Sequence, residues 1–325
     1  MQEIAVFYTF YLRMSKLSHT FAGEMKIGVF DSGYGGLTIL EKIRQRLPEY
    51  DYLYLGDNAR APYGTRSFEV IYEYTLQAVR WLHSQGCRLI ILACNTASAK
   101  ALRTIQQRDL PLLNGDATLN GENGDAALNG ARGLVNVLGV IRPTVESVIE
   151  SGAKHIGIMA TPGTVSSESY VIELEKLNGA NGDATLNGGM VVTQEACPMW
   201  VPLIEAGEHT GEGADYFVDK YVRELLVKDA EMDTIILGCT HYPLLLPKIE
   251  AALEVLGRGD IRVVCQGEIV AASLADYLRR HTEIAGDLSH GGPCTYITTE
   301  AAEKFRGSAS IFLNAPIEAT HIELQ

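Results

Sequence analysis

The sequence predicts an α/β fold, with two pseudo-symmetric domains whose parallel-sheet cores face each other across an active-site cleft. Short apolar strands alternate with helical stretches along most of the chain, which is typical of parallel sheets covered by helices. A length of 325 residues exceeds that of one ordinary domain. In addition, two stretches repeat one plan, in which a strand with a hydroxyl-bearing turn is followed by a strand with a cysteine-bearing turn.

The composition excludes several classes of protein. Apolar residues make up 46% of the chain and charged residues 21%, close to the average for soluble globular proteins. No apolar run approaches the ~20 residues of a membrane span, so we expect no association with a membrane. The net charge of −13 is unfavourable for contacts with phosphates, so we expect no nucleic-acid partner. Six cysteines without a CxxC pair argue against zinc ribbons and disulfide scaffolds, and favour a cytoplasmic protein with free thiols.

The first part of the chain shows regular alternation of strands and helices. Ser67 is the expected N-cap of a long amphipathic helix that reaches residue 85. A second helix covers 37–47, and a third begins within ACNTASA. The predicted strands here cover 26–30, 52–55, 88–92 and an apolar segment at 135–141.

The alternation continues in the rest of the chain. Predicted helices begin at Pro143, after ATPGTVSS, at about residue 247 and at Glu268. The predicted strands cover 155–159, 190–194, 234–237 and 261–264. We expect only short strands and turns beyond the last of these helices.

Three segments stand apart from this pattern. Residues 1–24 precede the first convincing strand, and we interpret them as a disordered extension; a weak signal peptide is the alternative. The phrase NGDATLNG, with its variant NGDAALNG, marks two polar inserts at 114–130 and 178–188. Because Asn-Gly is a strong turn signal, we interpret them as tolerated surface loops, with binding loops as the alternative.

Small and polar residues follow four of the predicted strands. Ligands of parallel α/β sheets collect at these carboxyl ends. The helix that follows each turn offers free N–H groups and a positive dipole end, which favour carboxylates. The sequence therefore predicts a small substrate that carries carboxylates. The four turns are Asp31-Ser32-Gly33, Cys94-Asn95-Thr96, Thr161-Pro162-Gly163-Thr164 and Cys239-Thr240-His241.

Cys94 and Cys239 occupy equivalent positions in the two halves. A helix N-terminus lowers the pKa of a thiol, and the thiolate is the reactive form; ordinary packing is the alternative for each cysteine. Asp31 and His241 are the ionisable neighbours, with a helix cap and a core histidine as their alternatives. No metal triad, Walker loop or pyridoxal-phosphate lysine is evident. The pattern indicates acid–base chemistry by two opposed thiols, with no cofactor and no metal.

Six motifs in this order resemble glutamate racemase, a member of the aspartate/glutamate racemase superfamily. The resemblance extends from about residue 26 to about residue 247, apart from the inserts, and is less distinct beyond. DSGYGG together with GCTHYP favours glutamate over aspartate. The motifs are IGVFDSGYGGLTIL (27–40), YLGDNARAPYGTRS (54–67), IILACNTASA (90–99), ATPGTVSSESY (160–170), ACPMWVPLIEAGE (196–208) and IILGCTHYPLLLP (236–247).

The resemblance implies racemisation of L- and D-glutamate without pyridoxal phosphate, by a two-base mechanism. Cys94 would act on D-glutamate and Cys239 on L-glutamate. Asp31 would support the first thiol and His241 the second, with Glu205 as a further acid. The substrate contacts that carry over are Asp31, Ser32, Tyr63, Gly64, Asn95, Thr96, Thr161, Thr240 and His241.

The resemblance also implies a division into discontinuous domains. Residues 25–138 and 247–325 would form the first domain, and 139–246 the second. The resemblance further implies a homodimer. Its product, D-glutamate, would be used in peptidoglycan synthesis. Two other functions stay open at this point: a related racemase or decarboxylase acting on another small acid, and a two-lobed amino-acid-binding protein without catalysis.

Overall fold

The structure is a computed structural model of the chain. The predicted extension 1–24 and most of the two predicted inserts lie outside the residues that it describes. None of the helices in the described part is both long and apolar enough to cross a membrane. The described residues are 25–115, 134–180, 190–292, 294–313 and 315–324.

Two sheets form the centre of the molecule, and all their strand pairs are parallel. The first sheet has the order β10-β9-β2-β1-β3-β4, and the second has the order β6-β5-β7-β8. The strands are β1 (Ile27–Asp31), β2 (Tyr52–Gly56), β3 (Leu89–Leu92), β4 (Asn136–Gly139), β5 (His155–Ala160), β6 (Val191–Ala196), β7 (Thr234–Gly238), β8 (Arg262–Val264), β9 (Thr295–Thr298) and β10 (Ala319–His321).

The two sheets share one topology, which confirms the predicted pseudo-symmetry. The order β2-β1-β3-β4 in the first sheet corresponds to β6-β5-β7-β8 in the second. One strand departs from the predicted division of the chain. Strand β8 lies within 247–325, which we assigned to the first domain, yet it pairs with β7 in the second sheet. It completes the second copy of the four-strand unit, so the chain returns to the first sheet only after β8.

Helices cover both sheets. They are α1 (Gly36–Arg46), α2 (Phe68–Ser84), α3 (Asn95–Lys100), α4 (Leu102–Thr104), α5 (Leu110–Leu113), α6 (Ile141–Glu150), α7 (Pro162–Ser166), α8 (Ser169–Ala180), α9 (Trp200–Glu205), α10 (Glu212–Lys228), α11 (Leu246–Val255), α12 (Gln266–Arg280), α13 (Thr282–Asp287) and α14 (Ala302–Leu313). A π-helical turn, Ile105–Asp109, joins α4 to α5, and short 3₁₀ segments cover Asn58–Arg60 and Tyr242–Leu245.

The predicted helix start at Ser67 is present, since its hydroxyl accepts a hydrogen bond from the backbone N–H of Val70 and caps α2. Helices α9, α10, α13 and α14 were not predicted, and the last two lie where we expect only short strands and turns. The two longer ones have an apolar face: Ala214, Val218 and Leu225 are buried in α10, and Phe305 and Phe312 in α14.

Helix α12 links the two halves of the molecule. It begins just after β8 of the second sheet and packs against α1, which follows the central strand of the first sheet. It also contacts α6 of the second half. The buried strands β1, β3 and β7 lie in apolar clusters on either side of this junction. The fold therefore brings the carboxyl ends of the two sheets towards one another around a common cleft.

Candidate active site

The carboxyl ends of β1, β3, β5 and β7 meet at one cleft between the two sheets. The turns after these strands supply residues from all four predicted motifs to its walls. The cleft has about 80 Å³ of space for water-sized molecules. Its lining includes Ser32, Tyr63, Gly64, Cys94, Asn95, Thr96, Thr161, Glu205, Cys239, Thr240 and His241.

Cys94 is the N-cap of α3, where its Sγ accepts a hydrogen bond from the backbone N–H of Ala97 at 3.4 Å. Its other close partner is the hydroxyl of Ser32, whose Oγ lies 3.2 Å from Sγ. We expected the helix N-terminus to lower the pKa of this thiol, and that expectation is wrong. Burial, reinforced by the negative charge of Asp31, raises the pKa of Cys94 to about 12.

Cys239 has a different partner. Its Sγ lies 3.8 Å from Nδ1 of His241, and Nε2 of the same ring lies 3.0 Å from Oε1 of Glu205. Burial by itself lowers the pKa of His241, but the hydrogen bonds to Cys239 and Glu205 outweigh it and raise this pKa to about 10. The imidazole can therefore hold a proton at neutral pH, beside the second thiol.

Asp31 lies behind the cleft wall, between the two thiol environments. Its Oδ2 accepts a hydrogen bond from the backbone N–H of Gly33 at 2.9 Å, and its Oδ1 is buried without a hydrogen-bond partner among the described residues. Burial raises the pKa of Asp31, and the nearby charge of His241 opposes that shift. The carboxyl thus influences both halves of the site. We predicted it to support Cys94 and to contact the substrate, but Asp31 is not among the residues that line the cleft.

The Gly-rich turn after β1 allows the second half of the molecule to approach closely. A Cβ atom at Gly35 would collide with the side chains of Thr240 and His241. The hydroxyl of Thr38 donates a hydrogen bond to the carbonyl of Thr240 at 3.0 Å, across the same contact. The DSGYGG motif therefore places the cysteine–histidine turn of the second sheet against the first sheet.

Threonine hydroxyls line the opposite side of the cleft. Oγ1 of Thr96 lies 3.0 Å from Oγ1 of Thr161, which caps α7 by accepting the backbone N–H of Thr164. The backbone N–H of Gly163 donates to the carbonyl of Gly64 at 2.7 Å, which joins the two halves at the cleft mouth. These hydroxyl groups are suited to a substrate carboxylate.

One segment contributes four lining residues to which the prediction gave no role: Cys197, Pro198, Val201 and Pro202 form an apolar wall. The motif ACPMWVPLIE contains all of them, and Glu205 is the residue of this segment with a predicted role. Trp200, fully buried, packs edge-on against Tyr242 with ring centroids 4.7 Å apart and anchors this wall.

A larger groove lies elsewhere, behind α3 and between α6, α8 and α12, with about 680 Å³ of space. None of the predicted site residues lines it. Within the described ranges, no cluster of three or more His, Cys, Asp or Glu side chains is placed to hold a metal ion. Convergence of reactive groups, rather than volume, therefore identifies the smaller cleft as the candidate active site.

Comparisons with known proteins indicate the family of this chain. Residues 123–274 match the model of the Asp/Glu/Hydantoin racemase family. The chain is 39% identical to glutamate racemase from Ruegeria sp. (strain TM1040) over 304 residues, which cover 90% of this chain and 98% of that protein. It is 40% identical to glutamate racemase from Aquifex pyrophilus over 256 residues, 78% of this chain and 84% of that protein.

A solved structure shows the same architecture. The structure of glutamate racemase from Francisella tularensis subsp. tularensis SCHU S4 in complex with D-glutamate superimposes with a TM-score of 0.73 at 28% sequence identity. The match covers 93% of this chain and 98% of that one. Identity over nearly the full length, together with a common fold, shows that this chain belongs to the glutamate racemase family.

Proposed function

We propose that this enzyme interconverts L- and D-glutamate with Cys94 and Cys239 as two opposed bases. The observation that carries the proposal is that both thiols follow equivalent central strands of the two sheets and line a single cleft. A substrate held between them presents one face of its α-carbon to each thiol. One sulfur then removes the α-proton while the other supplies a proton to the opposite face.

Cys239 is the base that acts on L-glutamate in this proposal. The ring of His241 accepts the thiol proton, and Glu205 stabilises the resulting imidazolium. The Cys239 thiolate takes the α-proton and becomes a thiol. Cys94, whose raised pKa keeps the thiol protonated at neutral pH, gives its proton to the other face and becomes a thiolate. D-glutamate leaves, and proton exchange with solvent restores the first state.

The reverse reaction needs a positive charge beside Cys94 that favours its thiolate. Burial and Asp31 both favour the neutral thiol there. The α-ammonium group of bound glutamate brings a positive charge next to this sulfur, which favours the thiolate. Ser32 donates a hydrogen bond to the thiolate once it forms. Substrate binding thus supplies part of the activation of Cys94.

The α-hydrogen of an amino acid is a very weak acid, so the carbanion must be stabilised by its surroundings. Asn95, Thr96, Thr161 and Thr240 offer donors to the substrate carboxylates, while the apolar wall limits access of water. Tyr63 and Gly64 contribute the loop that closes the mouth of the cleft. No cofactor takes part in this scheme.

The product suggests the cellular role. D-glutamate is a component of bacterial peptidoglycan, so we propose that the enzyme works in the cytoplasm to supply cell-wall synthesis. We further propose that the enzyme forms a homodimer. We also propose that residues 25–138 and the residues after β8 fold as one domain, and that residues 139–264 fold as the other.

Incubation of the purified protein with L-glutamate, without added cofactor, tests the activity when it is followed by chiral chromatography. We expect the mixture to approach equal amounts of the two enantiomers. Cys94→Ala and Cys239→Ala should each abolish the reaction, and Cys265→Ala, a thiol outside the cleft, should not. Racemisation by either of the first two variants would contradict the two-base assignment.

A further inference from the structure

The side-chain amide of Asn95 is held by a buried polar network that the proposed chemistry does not use. Oδ1 of Asn95 accepts a hydrogen bond from the hydroxyl of Tyr170 at 2.7 Å. Nδ2 of Asn95 donates to Oε1 of Gln266 at 2.6 Å. Nε2 of Gln266 in turn donates to the Tyr170 hydroxyl at 2.9 Å and to Oγ1 of Thr144 at 3.0 Å. All four residues are buried.

The carbonyl of Val140 fixes the orientation of this network, because it accepts hydrogen bonds from Oγ1 of Thr144 at 2.7 Å and from Nε2 of Gln266 at 3.4 Å. The Thr144 hydroxyl, which donates to Val140, must accept from the Gln266 amide nitrogen, and that nitrogen also donates to the Tyr170 hydroxyl, whose single hydrogen goes to Asn95. That fixes Oε1 of Gln266 towards Asn95 and requires Asn95 to present its nitrogen there. One Nδ2 hydrogen of Asn95 is used in this way, and the second is left to a ligand in the cleft.

The network connects three separate parts of the chain. Asn95 is the first residue of α3 in the first half, directly after Cys94. Tyr170 lies in α8 of the second half, and Gln266 is the first residue of α12, where the chain returns to the first sheet. An asparagine held only by its own helix could rotate its amide freely, whereas this one is fixed from across the domain junction.

We propose that Tyr170 and Gln266 are positioning residues that orient the Asn95 amide as a donor to the glutamate carboxylate. This inference rests on the proposed function, because it assumes that glutamate occupies the cleft. A carboxylate cannot accept a hydrogen bond from a carbonyl oxygen, so a rotated Asn95 amide would repel the substrate. Neither Tyr170 nor Gln266 lines the cleft, and their effect is transmitted through Asn95.

Two conservative changes remove the network without filling or emptying the site. Tyr170→Phe deletes the donor to Oδ1 of Asn95, and Gln266→Met deletes the acceptor of its Nδ2 hydrogen. A hydrogen bond to a charged group is typically strong enough that its loss weakens binding about tenfold or more. We therefore expect each variant to raise KM and the glutamate Kd about tenfold, with a smaller change in kcat.

A double-mutant cycle separates positioning from general loss of packing. In the Asn95→Ala background, Tyr170→Phe should change KM by less than about twofold, because its effect acts through the missing amide. Thr75→Val is the matched control: it removes a buried hydroxyl that bonds the carbonyl of Ile71 in α2, outside the cleft. It should lower the Tm and leave KM unchanged.

Glutamate binding by calorimetry is measured beside racemisation, so that two failures can be told apart. If the unmodified enzyme binds glutamate but does not racemise it, the proposed function fails, and weaker binding by Tyr170→Phe still supports positioning. If the unmodified enzyme racemises and both variants keep its KM and Kd, the positioning role is wrong. The positioning role is also wrong if Tyr170→Phe raises KM equally in the unmodified enzyme and in the Asn95→Ala background. It is wrong as well if neither the unmodified enzyme nor any variant binds glutamate.

Discussion

Single residues make the two thiols chemically unequal. Cys94 contacts a neutral hydroxyl and lies near a buried carboxyl, so it keeps its proton at neutral pH and can donate it. Cys239 contacts an imidazole that is itself paired with Glu205, so it has a built-in proton acceptor. The resting enzyme is therefore arranged for L-glutamate: the base on the Cys239 side is prepared, and the acid on the Cys94 side already has its proton.

This inequality predicts an asymmetric effect of His241→Asn. The two enantiomers have equal free energy, so kcat/KM must remain equal in both directions, and the asymmetry can appear only in kcat and KM separately. Loss of a group that assists proton transfer typically costs about 10²–10⁴-fold. We expect kcat from L-glutamate to fall by about 10²-fold or more, and kcat from D-glutamate to fall less.

Initial rates from each enantiomer, followed by circular dichroism, measure the effect. His281→Asn, which removes an exposed imidazole paired with Glu283, serves as the control and should keep both rates. Equal reduction of kcat in the two directions would show that His241 does not belong to Cys239 alone.

The same histidine predicts a pH dependence of stability. The pKa of His241 is about 10 in the folded protein and about 6.5 in an unfolded chain. The folded state therefore binds this proton more tightly, and the resulting stabilisation is complete below pH ~6.5 and is lost as the pH rises through ~10. We expect the free energy of unfolding to fall more steeply over this range in the unmodified protein than in His241→Asn. Urea unfolding at several pH values tests this, and parallel curves would contradict it.

At the scale of elements, the turns after the strands, more than the strands themselves, determine how closely the two halves approach at the cleft. The backbone N–H of Gly163 donates to the carbonyl of Gly64 across the cleft mouth. A Cβ atom at Gly163 would lie 2.7 Å from that carbonyl oxygen, so the loop that carries Tyr63 would have to move. Close approach of the two halves therefore depends on the absence of a side chain here.

Gly163→Ala should accordingly hold the cleft partly open. Since a displacement of about 1 Å can reduce activity by about 10²-fold, we expect kcat/KM to fall at least tenfold while the Tm changes little. Gly286→Ala in α13 is the matched control, because a Cβ atom there would meet nothing within 4 Å. Glutamate Kd and racemase rates measure both variants, and normal kinetics for Gly163→Ala would refute the close-approach argument.

The elements that could be predicted from the sequence are those with strong local signals. Strands such as β3 and β7 are continuous apolar runs, and α2 has both an N-cap and an apolar face. Helix α10 was missed although its apolar spacing is regular, because its N-cap is Gly211 and no side-chain cap marks its start. Helix α14 has Gly307 in its interior and is fixed by burial of Phe305 and Phe312, a tertiary effect.

The candidate site was predictable to a similar extent. Its thiols and hydroxyl turns follow strand ends, so their convergence could be foreseen from the topology of parallel sheets. The raised pKa of Cys94 could not, because it depends on burial and on the distance of Asp31. The network around Asn95 joins α3, α8 and α12, and no local pattern in the chain indicates such a contact.

At the scale of the whole molecule, the polar insert 114–130 has no role in the proposed mechanism. Asn114, inside the predicted insert, instead bonds both backbone groups of Val135, with its Oδ1 2.7 Å from the Val135 nitrogen. This pair joins the two ends of the segment 116–133. A short turn can therefore replace that segment at small cost in loop closure.

We expect deletion of 116–133, with a short Gly-Ser turn in its place, to leave kcat/KM within about threefold of its original value. Asn114→Ala in the full chain should lower the Tm instead, because it separates the two ends. Chiral assays and thermal unfolding test the pair of variants. A soluble, folded deletion protein without activity would show that the segment shapes the active site.

Isotope labelling tests the two-base mechanism most directly. In this mechanism, two thiols on opposite faces of the substrate α-carbon replace its own proton with one derived from solvent. L-glutamate is converted in D₂O, and the Cα hydrogens of both enantiomers are followed by NMR after chiral separation. Because Cys94 delivers a proton already exchanged with solvent, D-glutamate should carry deuterium at Cα from the first turnovers, while the remaining L-glutamate stays unlabelled. D-glutamate that retains its original hydrogen would mean that one base returns the proton it removed, and would contradict the account.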